Sequence, residues 1–183
     1  DLYIGTYKQY QKRWLKMFKV VNNFLHKDYF FNIQSQILSP SFPWYFVERK
    51  DLLEGDERTD IDLNQYQYGH IFYGQDKPLS DGFNLMQPLL DKLEVKSLIR
   101  MKVNSVPYSS KFYEGYFHTD NNFACKCCIL YINTNDGYTH FEHNNKKVSS
   151  EENKAVLFDS KFKHRGTNTT NQKQRVVLNI VYF

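Results

Sequence analysis

The sequence predicts a mainly β protein, an antiparallel β-sandwich or jelly roll with N-terminal helices packed on one sheet. From residue 98 onward, apolar and polar residues alternate with period two, as in strands that bury one face. Segments rich in Asn, Gly and Asp separate these alternating stretches and predict turns. Apolar residues at helical spacing lie in the first half of the chain. Aromatic residues, which favour sheets, make up 17% of the sequence.

The chain of 183 residues is long enough for a single domain with a sizeable core. No repeat, low-complexity block or Gly/Ser-rich linker divides it. We expect residues 1–97 to supply the helices and flanking strands, and residues 98–183 to form the jelly-roll core.

The first half predicts two helices and two short strands. Residues 26–38 and 83–93 carry apolar side chains at helical spacing, and Ser80 or Asp81 is a candidate N-cap for the second helix. Short apolar stretches at 43–48 and 68–74 predict strands. The polar stretch 53–65 predicts a loop.

The second half predicts six strands separated by turns. The turns are expected at 133–137, 143–147 and 165–173, where Asn, Gly, Thr and Lys cluster. The expected strands are 98–104, 113–119, 125–133, 138–142, 154–159 and 174–182.

The pair His118 and Asp120 is the first candidate for a metal site. Residues at i and i+2 project to the same side of an extended segment, so both side chains can face one ion. His164 follows a later apolar strand and can supply a third ligand. Two imidazoles and one carboxylate, with three positions open, suit Fe(II) that binds both a substrate acid and O₂.

Arg175 opens an apolar C-terminal strand, 174–182. Burying a guanidinium beside a core is costly without an anionic partner, and its fork matches a carboxylate. A dicarboxylate that chelates the metal at one end can meet Arg175 at the other. The alternative is a structural ion pair with Asp159 or Glu142.

Five motifs in order now resemble a known family: His-x-Asp, an "ILYIN" strand, "DGYTHFE", "AVLFDS" followed by His, and Arg in a terminal strand. This order resembles the Fe(II)/2-oxoglutarate-dependent dioxygenases. It is most similar to their prolyl-4-hydroxylase-like branch, including the small phage-type oxygenases. The likeness covers residues 98–183 and extends loosely to "FPWYF" and "HIFYG". It implies a double-stranded β-helix, the family's form of the jelly roll.

The resemblance implies a role for each matching residue. His118, Asp120 and His164 would be the iron ligands, and no other catalytic residue is expected. Arg175 would bind the distal carboxylate of 2-oxoglutarate, and Tyr131 would also reach this cosubstrate.

Two further positions match the family less closely. Thr139 would place a hydroxyl near the same carboxylate, and Asn179 would line the floor of the pocket. The family usually has a tyrosine in the strand before His-x-Asp. Here the register is open, and the contact falls to Asn104, Val106 or Tyr108.

The resemblance implies a hydroxylase that uses Fe(II), 2-oxoglutarate and O₂, with ascorbate as a potential stimulant. The first expected substrate is a prolyl residue in a protein or peptide. The alternatives are an oxygenase that modifies nucleic acid, and a non-catalytic or cupin-like metal-binding jelly roll. The net charge of +4 and a basic, aromatic-rich run at 7–19 are the features that favour nucleic acid.

The three cysteines all lie at 125–128, in Cys-Lys-Cys-Cys. In a strand Cys125 and Cys127 face one side and Cys128 the other, so the three thiolates cannot converge on one metal; small buried apolar residues are expected. An odd number packed this closely predicts a reducing, cytoplasmic environment rather than a disulfide framework.

No apolar run approaches the ~18 residues of a membrane span, so no membrane partner is expected. The oligomeric state is left open.

Overall fold

A computed structural model describes residues 17–47 and 66–183. The predicted loop at 53–65 and most of the basic run at 7–19 lie outside these residues. The described chain forms a large antiparallel sheet, a small antiparallel sheet facing it, and helices on the outer face of the large one. The predicted jelly roll is confirmed. No helix in the described part of the chain is both long enough and apolar enough to cross a membrane.

The helical segments lie in the first half, as predicted. Helix α1 spans Lys27–Ile37 and buries Phe30, Ile33 and Ile37, which share one face. The second predicted helix is divided into a 3₁₀ turn at Asp81–Met86 and helix α2 at Gln87–Lys92. Proline at the start of α2 explains the division, because it lacks the N–H that a continuous helix needs and is tolerated only in a first turn. Ser80 caps the 3₁₀ turn, and its Oγ accepts a hydrogen bond from Gly82 N at 3.2 Å.

Eleven strands are present in the described residues. In chain order they are β1 (Phe18–Val21), β2 (Tyr45–Val47), β3 (Gln67–Gly74), β4 (Lys77–Pro78), β5 (Leu98–Pro107), β6 (Lys126–Tyr131), β7 (Tyr138–Phe141), β8 (Lys146–Ser149), β9 (Ala155–Asp159), β10 (His164–Gly166) and β11 (Gln174–Tyr182).

The large sheet has eight strands, in the order β1-β9-β6-β11-β5-β3-β2, with β4 paired to β3. Strand β11 lies at its centre and pairs with both β5 and β6. The four strands before residue 98 therefore belong to the same sheet as β5, β6, β9 and β11.

The small sheet has the order β10-β7-β8. The predicted strand 113–119 runs beside β10 with only two bridges, Glu114 to Thr167 and His118 to His164. Between these bridges Gly115 N donates to Gly166 O at 2.8 Å, but no continuous ladder forms. This short pairing nevertheless brings His118 against His164.

Alternation divides the side chains of the central strands between two clusters. Cys128 and Leu130 of β6 join the core that packs on the helices, whereas Cys127, Ile129 and Tyr131 face the small sheet. All three cysteines are buried and free of disulfides. The expected opposite facing of Cys127 and Cys128 is thus confirmed.

Candidate metal centre

His118 and His164 are held together by their own backbones. His118 N donates to His164 O at 3.0 Å, and His164 N donates to His118 O at 2.9 Å. This reciprocal pair places the two imidazole centroids 4.7 Å apart. A link between residues 46 positions apart in the chain therefore sets the relative position of both rings.

Each imidazole is oriented by a carbonyl two residues before it. The Nδ1 atom of His118 lies 3.0 Å from Tyr116 O, and that of His164 lies 3.0 Å from Phe162 O. A carbonyl oxygen only accepts, so each Nδ1 carries a proton, and Nε2 is the nitrogen available to a metal.

Asp120 is buried, with a side chain only 5% exposed. Its Oδ2 lies 3.5 Å from His164 Nε2 and accepts a hydrogen bond from Asn179 Nδ2 at 3.1 Å. Its Oδ1 accepts from Arg100 Nη2 at 3.2 Å. Burial alone would raise the pKa of Asp120, but His164, Arg100 and Asn179 outweigh it and hold that pKa below its ordinary value. The carboxyl is therefore ionised, as a metal ligand must be.

The donor atoms of His118, Asp120 and His164 all lie within 4.8 Å of one another. Among the residues that the structure describes, this is the one group of three or more His, Cys, Asp or Glu side chains that could hold a metal ion. Two neutral imidazoles and one carboxylate are the donor set of non-haem Fe(II) sites. The predicted triad is thus brought together, and its chemistry fits iron.

Arg175 lies in the same cavity and is fully buried, at 2% exposure. Its Nε donates to Ser150 Oγ at 2.8 Å, and its Nη2 donates to Thr139 Oγ1 at 3.0 Å. No ion pair within 17–47 and 66–183 involves Arg175, so the alternative pairing with Asp159 or Glu142 is not seen. Burial lowers the pKa of Arg175 from its usual value, as expected for a cation without a carboxylate partner.

Gly137 makes room for the stem of Arg175. A Cβ at Gly137 would lie 2.6 Å from Arg175 Cδ and 2.7 Å from Asn168 O, closer than van der Waals contact permits. The turn before β7 therefore needs glycine because the arginine passes directly over it.

Tyr131 acts on the cavity through Thr139. Its hydroxyl is fully buried and donates to Thr139 Oγ1 at 2.8 Å. Burial raises the pKa of Tyr131 to about 12, so it keeps its proton and remains a donor. Thr139 Oγ1 also accepts from Arg175, and the Tyr131 hydroxyl lies 3.3 Å from a second acceptor, Val148 O. Thr139 lines this cavity and Tyr131 does not; direct contact of Tyr131 with a cosubstrate stays a prediction.

A single cavity joins the triad to Arg175 and Thr139. Its other walls are Gln67, Lys102, Asn104, Val106, Ile129, Gly166, Val177 and Asn179. Asn179 lies on the cavity wall and its Nδ2 donates to Asp120, while its role at a cosubstrate stays a prediction. The open register of the strand before His-x-Asp is resolved: Asn104 and Val106 face the cavity, whereas Tyr108 is 54% exposed and outside it.

Sequence reasoning missed Arg100, Ser150 and Gly137. Arg100 carried a usable signal, because it alternates with buried Met101 and Val103 on a central strand, as Arg175 does with Val176. Ser150 and Gly137 lie in connections, where serine and glycine are common, and no pattern separates them from ordinary turn residues.

Comparison with known proteins identifies the fold. No protein-family model matches the chain, and no curated protein matches it. Solved structures with the same fold include a prolyl hydroxylase from Trichoplax adhaerens in complex with a hypoxia inducible factor oxygen degradation domain peptide fragment. It aligns over 91% of this chain and 83% of its own, with a TM-score of 0.63 and 17% identity.

Two other structures show the breadth of this likeness. The viral collagen prolyl hydroxylase of Paramecium Bursaria Chlorella virus-1, solved with 2-oxoglutarate, aligns over 91% of this chain and 95% of its own, with a TM-score of 0.55 and 14% identity. The non-haem α-ketoglutarate-dependent epimerase SnoN of nogalamycin biosynthesis aligns over 91% and 77%, with a TM-score of 0.60 and 11% identity. In fold, the chain groups with the prolyl hydroxylases and related 2-oxoglutarate-dependent enzymes.

Proposed function

We propose that this chain is an Fe(II)- and 2-oxoglutarate-dependent oxygenase that hydroxylates a prolyl residue of a protein or peptide. One observation carries the proposal. The His118, Asp120, His164 triad shares a cavity with Arg175, which is buried and has no acidic partner among the described residues. Neither feature alone is diagnostic. Together they provide a metal site for one end of a chelating dicarboxylate and a cation for the other end.

The triad would hold the iron, and its surroundings keep the ligands in place. The carbonyls of residues 116 and 162 orient the imidazoles, while Arg100 and Asn179 each donate a hydrogen bond to the carboxylate. Iron with 2-oxoglutarate and O₂ supplies the oxidising chemistry when bound. No side chain has to act as a general base, so no acid–base pair is required of the protein.

Arg175 would bind the distal carboxylate of 2-oxoglutarate. Ser150 and Thr139 orient the guanidinium, and the Thr139 hydroxyl would lie near the same carboxylate. Val106, Ile129 and Val177 provide apolar walls between these polar groups.

The prolyl substrate is supported by the fold and by exposed aromatic residues near His-x-Asp in the sequence. The Trichoplax neighbour was solved with a peptide, and the viral neighbour is a collagen prolyl hydroxylase. Four exposed aromatic side chains lie close in sequence to His-x-Asp, and proline-rich peptides dock on aromatic surfaces. They are Tyr108, Phe112, Tyr116 and Phe123. Because an epimerase shares this fold, the turnover experiment below identifies the product as well as the substrate.

The first test is spectroscopic. Anaerobic apoprotein is titrated with Fe(II) and then with 2-oxoglutarate, and the metal-to-ligand charge-transfer band in the visible is recorded. We expect the band in the wild type, its loss in His164→Ala, and its retention in His26→Ala, a change at an exposed histidine outside the cavity. Iron binding without the band would overturn 2-oxoglutarate dependence and favour a cupin-like or non-catalytic metal site.

Substrate class is tested next by coupled turnover. Succinate release is measured with proline-rich peptides and with single-stranded oligonucleotides, and the product is examined for a gain of one oxygen. Stimulation by a peptide with oxygen on proline supports the proposal. Stimulation by oligonucleotides alone would replace it with a nucleic-acid oxygenase.

A further inference from the structure

Arg100 brings a positive charge into contact with the proposed metal ligand. It lies on β5, and its Nη2 donates to Asp120 Oδ1 at 3.2 Å. The side chain of Arg100 is 34% exposed, whereas that of Asp120 is 5% exposed. The carboxylate end of the ion pair is therefore buried, whereas the guanidinium end is partly exposed to solvent, which screens its charge.

The two oxygens of Asp120 have different neighbours. Oδ2 is on the histidine side, 3.5 Å from His164 Nε2, and Oδ1 is on the Arg100 side. Asn179, on β11, donates its Nδ2 proton to Oδ2. Asn179 therefore donates to the oxygen on the histidine side, whereas Arg100 places its charge beside the other oxygen.

We propose that Arg100 is a positioning residue that makes the metal centre select a dianionic cosubstrate, at the cost of weaker binding of the bare metal. This inference rests on the proposed function. Two neutral imidazoles and one carboxylate lower the charge of a bound divalent ion from +2 to +1, and the Arg100 guanidinium returns the local sum to +2. A higher positive charge repels the free cation and attracts a chelating anion.

The two effects have opposite signs, which separates this role from a structural one. Loss of a purely structural contact would weaken the binding of both metal and anion, because Asp120 would become misplaced. Loss of the charge should strengthen metal binding and weaken anion binding. Because the guanidinium lies within a few ångströms of the ligand atoms, each effect should be about tenfold.

The experiment uses the full chain with Mn(II), which does not support turnover and can be followed by electron paramagnetic resonance. Mn(II) affinity is measured first, and 2-oxoglutarate affinity of the Mn(II)-loaded protein is measured second by calorimetry. The variants are Arg100→Gln and Arg100→Met, which remove the charge, and Arg100→Lys, which keeps it. Lys19→Gln, at an exposed lysine on edge strand β1, is the control for loss of one positive charge.

We expect the two neutral variants to bind Mn(II) about tenfold more tightly and 2-oxoglutarate about tenfold more weakly. Arg100→Lys should restore both affinities, and Lys19→Gln should change neither. Weakening of both affinities in the neutral variants, or no change in either, would overturn the role of Arg100. Wild-type protein that binds Mn(II) but not 2-oxoglutarate would overturn the proposed function, while the Mn(II) affinities alone would still decide whether Arg100 repels the metal.

Discussion

The two faces of the large sheet are built by the same strands but have different chemistry. On the helix side, alternate residues of β5 and β11 are apolar and closely packed: Met101, Val103, Val176, Leu178 and Ile180. On the cavity side, the intervening residues are mostly charged or polar: Arg100, Lys102, Asn104, Arg175 and Asn179. Strand β11 is buried along nearly all of its length, so its polar side chains are not a solvent-facing stripe.

This difference teaches how a site is recognised within a buried strand. Polar residues on a surface strand are solvated and need no partner, whereas polar residues on a strand buried on both faces must be satisfied by other groups. Arg175 donates to two hydroxyls and Asn179 Nδ2 donates to a carboxylate, whereas the buried Oδ1 of Asn179 has no hydrogen-bond partner among the described residues. The helix face stabilises the fold, and the cavity face holds the functional groups.

The largest effect is expected at Arg175, on the affinity for 2-oxoglutarate. Arg175→Met should raise the KM for 2-oxoglutarate about 100-fold, because a bidentate charge-assisted contact is lost. Val176→Ala, one residue along on the helix face, should leave this KM unchanged while lowering stability. Steady-state kinetics against 2-oxoglutarate measure both. An unchanged KM in Arg175→Met would assign the arginine to structure alone.

Leu178 and Asn179 form a second matched pair across the sheet. Leu178→Ala should lower the free energy of unfolding by about 3 kcal/mol, because it opens a cavity in a fully buried core. Asn179→Ala should cost far less stability but weaken metal binding about tenfold, because the carboxylate of Asp120 loses its amide donor. Urea denaturation and Mn(II) binding on both variants give the comparison. Equal effects on both observables would mean that the two faces are not separable.

The alternation made much of the fold predictable. Period-two patterning placed β5, β6, β9 and β11 within a few residues of their observed bounds and assigned the two facings of Cys127 and Cys128. The triad and Arg175 were recognised because their order along the chain follows a known pattern. Their convergence on one cavity agrees with that interpretation, although their roles stay predictions until tested.

The remaining features depend on long-range geometry that no local pattern encodes. The register of β5 was open because it is set by pairing with β11, which places Val106 opposite Arg175 and Asn104 opposite Val177. Arg100 was missed because a basic residue in an alternating strand is usually solvated, and only the fold shows Asp120 beside it. The segment 113–119 was predicted as a full strand because the interruption of its pairing beside β10 cannot be read from its own sequence.

A cluster of charged and polar side chains is centred on Glu114, just before His-x-Asp, and contacts the small sheet. Its carboxylate accepts from Tyr138 Oη, pairs with Arg165, and lies 3.3 Å from Lys147 Nζ. Burial alone would raise the pKa of Glu114, but the bonds from Tyr138 and Lys147 and the charge of Arg165 lower it below its ordinary value. This cluster ties the segment that carries His118 and Asp120 to β7, β8 and β10.

The smallest predicted effect concerns this cluster and its pH dependence. Glu114→Gln should lower the free energy of unfolding at neutral pH by about 1 kcal/mol, since a partly exposed ion pair is screened by water. Because the pKa of Glu114 is lower in the folded state, the contribution of its carboxylate is complete above the ordinary carboxyl value and is lost as the pH falls through the folded one. The difference between wild type and variant should therefore shrink in acid. Urea denaturation at neutral and acidic pH measures this difference, with the exposed Glu142→Gln as the control. A difference independent of pH would show that side-chain shape rather than charge stabilises the segment that carries His118 and Asp120.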